Sequence, residues 1–178
     1  MINADNRIAK EITDVELARV NNIYNIRPKK YKYVDKVQFG DKERYGLIGQ
    51  DVETHFPEVV TTTRDFIPNV YIVSDSINKN IIVFKDEHHL KVTDKIKIFT
   101  KEKKDIVTTL VIAIINPTTI QVAHIFDNTS SVFVFGKEVD DYKMLDYNQL
   151  IPVIVRALQD QHDIILDLQN QINNLKSS

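Results

Sequence analysis

The residues able to do chemistry are few, and most are placed where they do none. There is no cysteine among the 178 residues, so a thiol nucleophile, a disulfide and a thiolate metal site are all excluded. His88–His89 beside Asp86–Glu87 has the residue types of a metal site. Adjacent histidines on a strand point to opposite faces, however, and no third ligand follows at a fixed spacing, so the pair reads as an exposed turn. His55 and His162 fall in helical pattern, one next to Phe56 and one in the C-terminal repeat, and read as surface or interface residues. Ser74-Asp75-Ser76 sits at a strand end and reads as a turn. No Ser-His-Asp order can be built, and no cofactor or metal is expected.

Charge adds little to this inventory. The 23 basic and 25 acidic residues leave a formal charge of -2 and are scattered along the chain, which argues against a nucleic-acid surface. The two dense basic runs, Arg27 to Lys32 and Lys101 to Lys104, read as solvated turns or strand edges. The longest apolar stretch, Leu110 to Ile115, is too short to cross a bilayer and the N-terminus lacks a secretory apolar region, so a soluble, non-secreted protein is expected.

With 43% hydrophobic residues a buried core is feasible without staples. Residues 1 to 12 carry no period. Thr13 and Glu16 form a capping-box pattern ahead of Leu17, Val20 and Ile23/Tyr24, which predicts a helix ended by Pro28. Tyr31 to Val34 and Tyr45 to Ile48 read as strands around a Gly40-Asp41 turn, followed by a short helix over Asp51 to His55 that Pro57 stops. From Phe66 onward β-branched runs dominate: Val70 to Val73, Ile81 to Phe84, Lys95 to Phe99, Val107 to Ile115, Ile120 to Ile125 and Val132 to Phe135. Turn clusters at Asn116 to Thr119 and Asp127 to Ser130 separate them, so 66 to 137 reads as an antiparallel sheet or small barrel.

The last segment changes period again. Ile151, Ile154, Leu158, Gln161, Ile165, Leu168, Ile172 and Leu175 follow alternating steps of three and four, the seam of a coiled coil. The helix should start near Asp146 or Asn148, leaving Pro152 in its first turns. The seam keeps a period of 3.5 without drifting towards 3.6, which favours self-association over packing on its own domain. Mixed Ile and Leu at both seam positions does not choose between two and three strands, and Gln161 interrupts the seam with one polar layer.

Four stretches together resemble the intramolecular chaperone domains at the C-termini of phage tailspikes, tail fibres and endosialidases, found also in myelin regulatory factor. Tyr45-Gly46-Leu47-Ile48-Gly49-Gln50-Asp51-Val52-Glu53 through Phe56-Pro57-Glu58-Val59-Val60 is similar to that family's central motif, with Gly46, Gln50 and Glu53 at its marked positions. Ile26-Arg27-Pro28 with Tyr31-Lys32-Tyr33 resembles an upstream motif. Leu145-Asp146-Tyr147-Asn148-Gln149-Leu150-Ile151-Pro152 with Ala157-Leu158-Gln159 resembles a downstream one. The family's first motif, S-D-x-R-[LIV]-K-x-x-I, is matched by Ala4-Asp5-Asn6-Arg7-Ile8-Ala9-Lys10-Glu11-Ile12, Asp5 and Arg7 included, except at two places. Those are the family's catalytic ones: a serine nucleophile and, five residues on, its lysine partner. Ala4 and Ala9 stand there, which fits deliberate removal of the dyad or a natural branch that does not cleave. Lys10 has nothing to activate when position 4 is alanine.

The residue pattern and the resemblance together give the expectation of an α+β fold: a small mixed chaperone core from residues 1-65 and 141-150, an inserted antiparallel β subdomain at 66-140 read from its strand pattern, and a C-terminal helix, 151-178, in a coiled coil that the resemblance implies is trimeric. The resemblance implies a homotrimer that registers an upstream viral fibre or spike segment of the same polypeptide, made in the host cytoplasm and shed from the fibre after Ser-Lys autoproteolysis, with no nucleic-acid or membrane partner. In this chain the enzyme activity is expected to be absent. A permanent trimerisation module without proteolytic history is the alternative. The 66-140 segment lies outside the resemblance and, lacking a Gly-rich phosphate loop or a paired-carboxylate motif, reads as an adhesion or packing module.

Overall fold

The structure is a computed structural model that describes residues 6–100, 105–127 and 130–177. Ala4 and Asp5 fall outside these residues, as do Lys101 to Lys104. In chain order the elements are α1 (Leu17–Ile23), β1 (Lys29–Tyr31), α2 (Lys36–Phe39), β2 (Arg44–Gly46), α3 (Gly49–Glu53), β3 (Val60–Ile67), β4 (Ile72–Val73), β5 (Ser76–Asn78), β6 (Ile81–Val83), β7 (Lys95–Thr100), β8 (Ile106–Asn116), β9 (Thr119–Val122), β10 (Val132–Leu145) and α4 (Tyr147–Ser177). The chain divides into two compact units. The first comprises the described residues of Met1–Lys29, Gly46–Thr61 and Leu145–Ser178, the second those of Lys30–Tyr45 and Thr62–Met144.

The first unit is helical and built around Val20, Val52, Phe56, Val59 and Leu150, all nearly or wholly buried. Helix α1 starts at Leu17, with Glu16 at the cap position and no side-chain cap. The expected Thr13/Glu16 capping box does not form. Instead the Glu16 carbonyl accepts the Arg19 and Val20 N–H groups at 3.0 and 3.3 Å, so backbone alone starts the helix. Pro57 opens a single 3₁₀ turn, Pro57–Val59, at which α3 cannot continue. Burying Val59 there completes the apolar cluster.

The second unit is antiparallel β. Its sheet runs β3-β10-β7-β8-β9-β6-β5, with β4 also paired to β10. Alternation makes its core: on β7 the inward residues are Ile96, Ile98 and Thr100, and on β10 they begin Val132, Val134. These pack with Ile82, Val111, Ile120 and Val122. Strand β10 extends ten residues beyond the Val132 to Phe135 run read from sequence, because Lys137 to Leu145 keep extended pairing although their side chains are mostly polar. The register slips by one between Val134 and Gly136 against β7, a bulge at Phe135. Gly136 is required there, since a Cβ would lie 1.9 Å from the Ile67 carbonyl oxygen.

Helix α2 was not legible as a helix. Asp35 creates it by accepting the Val37 and Gln38 N–H groups at 3.1 and 3.0 Å, an N-cap, and the strand expected over Tyr31 to Val34 ends at Tyr31. Asp35 also accepts the Tyr71 hydroxyl at 3.0 Å, which joins this short helix to the β sheet within the second unit. Burial, then the bond to Asp35, raises the Tyr71 phenol above its ordinary pKa.

Candidate functional site

Of the two dyad positions, only Ala9 lies among the described residues. It follows a single 3₁₀ turn, Asn6–Ile8, and is exposed, as are Arg7 and Lys10. A methyl side chain offers neither nucleophile nor base. The motif-supporting residues lie elsewhere in the chain: Gly46 ends β2, while Gln50 and Glu53 are on α3. Asp5 and the nucleophile position are outside the described residues.

The other tempting residues have structural tasks. His88 corrects the expectation of an exposed turn: it is 3% exposed. Its Nδ1 accepts the Leu90 N–H at 2.9 Å and its Nε2 lies 3.2 Å from the Asn116 carbonyl oxygen, so a neutral Nε2–H tautomer satisfies both. Burial pushes its pKa below the ordinary histidine range. His89, in contrast, is exposed and 3.9 Å from Glu87. Ser74 is buried rather than in a free turn, its hydroxyl accepting the Val132 N–H at 2.9 Å and its own N–H bonding the Val132 carbonyl at 2.8 Å. His55 lies just beyond α3, where its carbonyl accepts the Asn22 side-chain N–H at 3.3 Å. His162 is on the exposed part of α4. Among the described residues no group of three His, Cys, Asp or Glu could hold a metal ion, and no helix is long and apolar enough to cross a membrane.

A cleft of about 560 Å³ in the second unit is lined by Arg64, Asp94, Lys95, Lys137 and Glu138 among others. Four of its seven charged lining residues pair with one another, Lys95 with Glu138 at 2.9 Å and Lys137 with Asp94 at 3.3 Å.

A long exposed apolar stripe among the described residues runs along helix α4. The 31 residues of this helix span about 46 Å at ~1.5 Å per residue. Asp146 begins it, accepting the Gln149 side-chain N–H and the Asn148 backbone N–H, both at 3.0 Å. These bonds hold its carboxyl below the ordinary range. Leu150 and Ala157 are buried, and Val153 packs against the apolar cluster of the first unit. The stripe read as a seam faces away. Ile151, Ile154, Leu158, Ile165, Leu168 and Ile172 are between 44% and 61% exposed, and Leu175 is exposed too. Gln161 sits in the same stripe, also exposed. Val155 and Ile164, on either flank, add further exposed apolar surface.

The structure also joins two of the family-like stretches. The Leu47 N–H donates to the Tyr147 hydroxyl oxygen at 2.8 Å, and the Asp146 N–H to the Val59 carbonyl at 2.9 Å. The Gly46–Val60 stretch is thereby bonded to the Leu145–Gln159 stretch inside one unit. Comparison with known proteins agrees with the first of the two. Residues 5–61 match the family described as chaperone of endosialidase. That match begins at Asp5 and takes in Ala9. It stops well before Leu145, so the downstream motif is tied to the chaperone-like segment by these hydrogen bonds. The chain is also similar to an uncharacterized protein VP1 of Micromonas pusilla reovirus (isolate Netherlands/2005), 32% identical over 94 residues. The similarity covers 51% of this chain and 5% of that protein.

Proposed function

We propose that this chain is an intramolecular chaperone that trimerises through α4, registers the upstream fibre or spike chains of a viral precursor, and in its cleaving relatives is shed by Ser-Lys autoproteolysis. The precursor would be made in the host cytoplasm. With alanine at positions 4 and 9 this copy does not cleave. The division into a chaperone core and a β module inserted at 66-140 belongs to the same reading.

The observation that carries it is the two-sided use of α4. One stripe, Leu150-Val153-Ala157, is covered by its own unit, while the 3.5-period stripe is left in water. An isolated helix of this composition gains little by exposing seven large aliphatic seam residues, and burying each against a partner contributes roughly 1.5–3 kcal/mol before ordering costs. Exposed Val155 and Ile164 widen the stripe beyond a two-helix seam, which favours three helices. The match of residues 5–61 to the chaperone of endosialidase family supports the chaperone part of this reading. Tethering three upstream chains at one end raises their effective concentration and sets their register.

The test is the mass in solution. Light scattering should return about three times the 20.6 kDa chain mass, and Leu168→Glu, which puts a charge in the seam, should return the monomer with the circular dichroism of the β unit unchanged. A wild-type monomer at micromolar concentration would refute the reading. The alanines leave a second reading open, a permanent trimerisation module with the same assembly and no cleaving ancestor; it differs in the outcome of restoring the dyad.

A further inference from the structure

Among the described residues one buried side-chain polar atom has no hydrogen-bond partner, the Nε of Arg156. Native folds leave few such groups, because an N–H taken from water without a replacement is costly. Arg156 makes no ion pair with a described residue either. Arg27 and Arg64 also make none, but both are exposed and water serves them. Arg156 is half-buried on α4. The acid its own helix offers is Asp160, four residues on, and the two are not paired.

The Arg156 side chain lines a groove of about 390 Å³ within the first unit, together with Thr13, Asp14, Val15, Ile151 and Val155 among others. Asp14 is exposed and has no partner among the described residues. Two opposite charges thus line one groove unpaired. The wall that carries Asp14 is held loosely: residues 9–16 form neither helix nor strand, and Glu11 takes a left-handed φ of 56°. No backbone–backbone hydrogen bond joins Ala9 to Val15 to another described residue.

We propose that Asp14 and Arg156 are the two halves of a latch. Arg156 turns into the groove it lines, its Nε–H and one Nη–H donate to the two carboxylate oxygens of Asp14, and the lead-in segment is fastened to α4. A guanidinium and a carboxylate match in this two-bond geometry, and their charges make it stronger than a neutral pair. Apolar Val15, Ile151 and Val155 border the groove and reduce screening by water. The structure shows the latch open. Closing it also restrains position 9, which lies five residues before Asp14 and therefore within roughly 18 Å of it along a fully extended chain. The consequence for the dyad position rests on the function proposed above; the latch itself does not.

The experiment uses the full chain in solution and compares wild type, Asp14→Asn, Arg156→Gln, the double variant and Asp160→Asn. One signal is the Arg156 Nε–H resonance, assigned by its absence in Arg156→Gln; the other is the rate of trypsin cleavage after Lys10, in the same lead-in segment. In the wild type the Nε–H should exchange with water about tenfold more slowly than those of Arg27 and Arg64, and Asp14→Asn should speed it at least about threefold. Cleavage after Lys10 should quicken about three- to tenfold in either single variant and no further in the double, as expected of two groups that act as one pair. Asp160→Asn should change neither signal. An Nε–H indifferent to Asp14→Asn, single effects that add in the double variant, or a response to Asp160→Asn overturns the latch. Asp14 is exposed, so its substitution tests the pair without threatening the fold. Both signals report on contacts within one chain, so their failure leaves the three-chain reading standing, and a wild-type chain that sediments as a monomer overturns that reading alone.

Discussion

The hydroxyl oxygen of Tyr147 accepts the Leu47 N–H at 2.8 Å across 100 positions of sequence. It ties the loop before α3 to the first residue of α4. Together with the bond from the Asp146 N–H to the Val59 carbonyl, it explains why an Asp-Tyr pair stands at the start of this helix: Asp146 caps it, and Tyr147 fastens it to the chaperone-like segment.

Tyr147→Phe removes the acceptor and keeps the ring. Tyr147 is 46% exposed, so water can partly replace the lost bond, and the expected cost is about 0.5–1 kcal/mol. The site of the effect is more telling than its size. Amide exchange should quicken at Leu47, while amides of the β sheet, such as Ile98 and Val134, keep their rates. Unchanged exchange at Leu47 would mean that the bond contributes nothing in solution.

Gly136→Ala tests the bulge in β10. The added Cβ would meet the Ile67 carbonyl oxygen at 1.9 Å, the Asn69 Oδ1 at 2.7 Å and the Asn69 N at 2.8 Å. Two of the three are backbone atoms that cannot rotate away. A loss of roughly 3 kcal/mol or more is expected, read as a lowered denaturation midpoint of the β signal or as insoluble protein. A change below about 0.5 kcal/mol would show that the bulge is free to rearrange.

Acid should weaken the β unit through His88. Its folded-state pKa lies below the ordinary 6.5 because burial disfavours the charged ring, with His89 adding to the effect and the Asn116 carbonyl and Glu87 opposing it. The unfolded chain therefore binds more protons than the folded one once the pH drops below about 6.5, and stability falls from there down to the folded pKa. Above that range His88 adds no pH dependence. Protonation also places a hydrogen on Nδ1, which the Leu90 N–H faces at 2.9 Å. Unfolding midpoints measured from pH 7.5 to 4.5 should decline in the wild type, and His88→Asn, less stable overall, should lose that part of the decline. Equal slopes in the two proteins would place the acid sensitivity elsewhere.

What was legible in the sequence divides along physical lines. Helix α4 and its exposed apolar stripe could be read because residues at alternating steps of three and four share one helix face, and the β-branched runs marked most of the strands because their alternation matches the pleat. The end of β10 was hidden, since Glu138, Asp140, Asp141 and Lys143 give no apolar alternation and pairing to neighbouring strands holds them extended. Helix α2 was hidden for a related reason: four residues carry no period, and its signal is one aspartate whose cap bonds and bond to Tyr71 exist only in the fold. His88 could not be placed by spacing, because its burial comes from Asn116 and Pro117, nearly thirty positions away.

The last prediction restores the chemistry. In the full chain carrying an upstream segment, Ala4→Ser with Ala9→Lys should produce spontaneous cleavage near position 4, and either change alone should be far slower, because nucleophile and base act as one unit. Ala9 is exposed, so a lysine there would be solvated and protonated at neutral pH in an isolated chain, unable to take the serine proton. Desolvation or a nearby positive charge must lower its pKa first. On the three-chain reading, assembly is what provides that covering. Cleavage should therefore follow the trimer: lost on dilution below the association range, and lost when Leu168→Glu is added to the double variant. The readout is intact mass and a denaturing gel over time without added protease. A double variant that is trimeric and stays uncut would assign the chain to a non-cleaving branch, and cleavage by the monomeric triple variant would place the whole dyad within one chain.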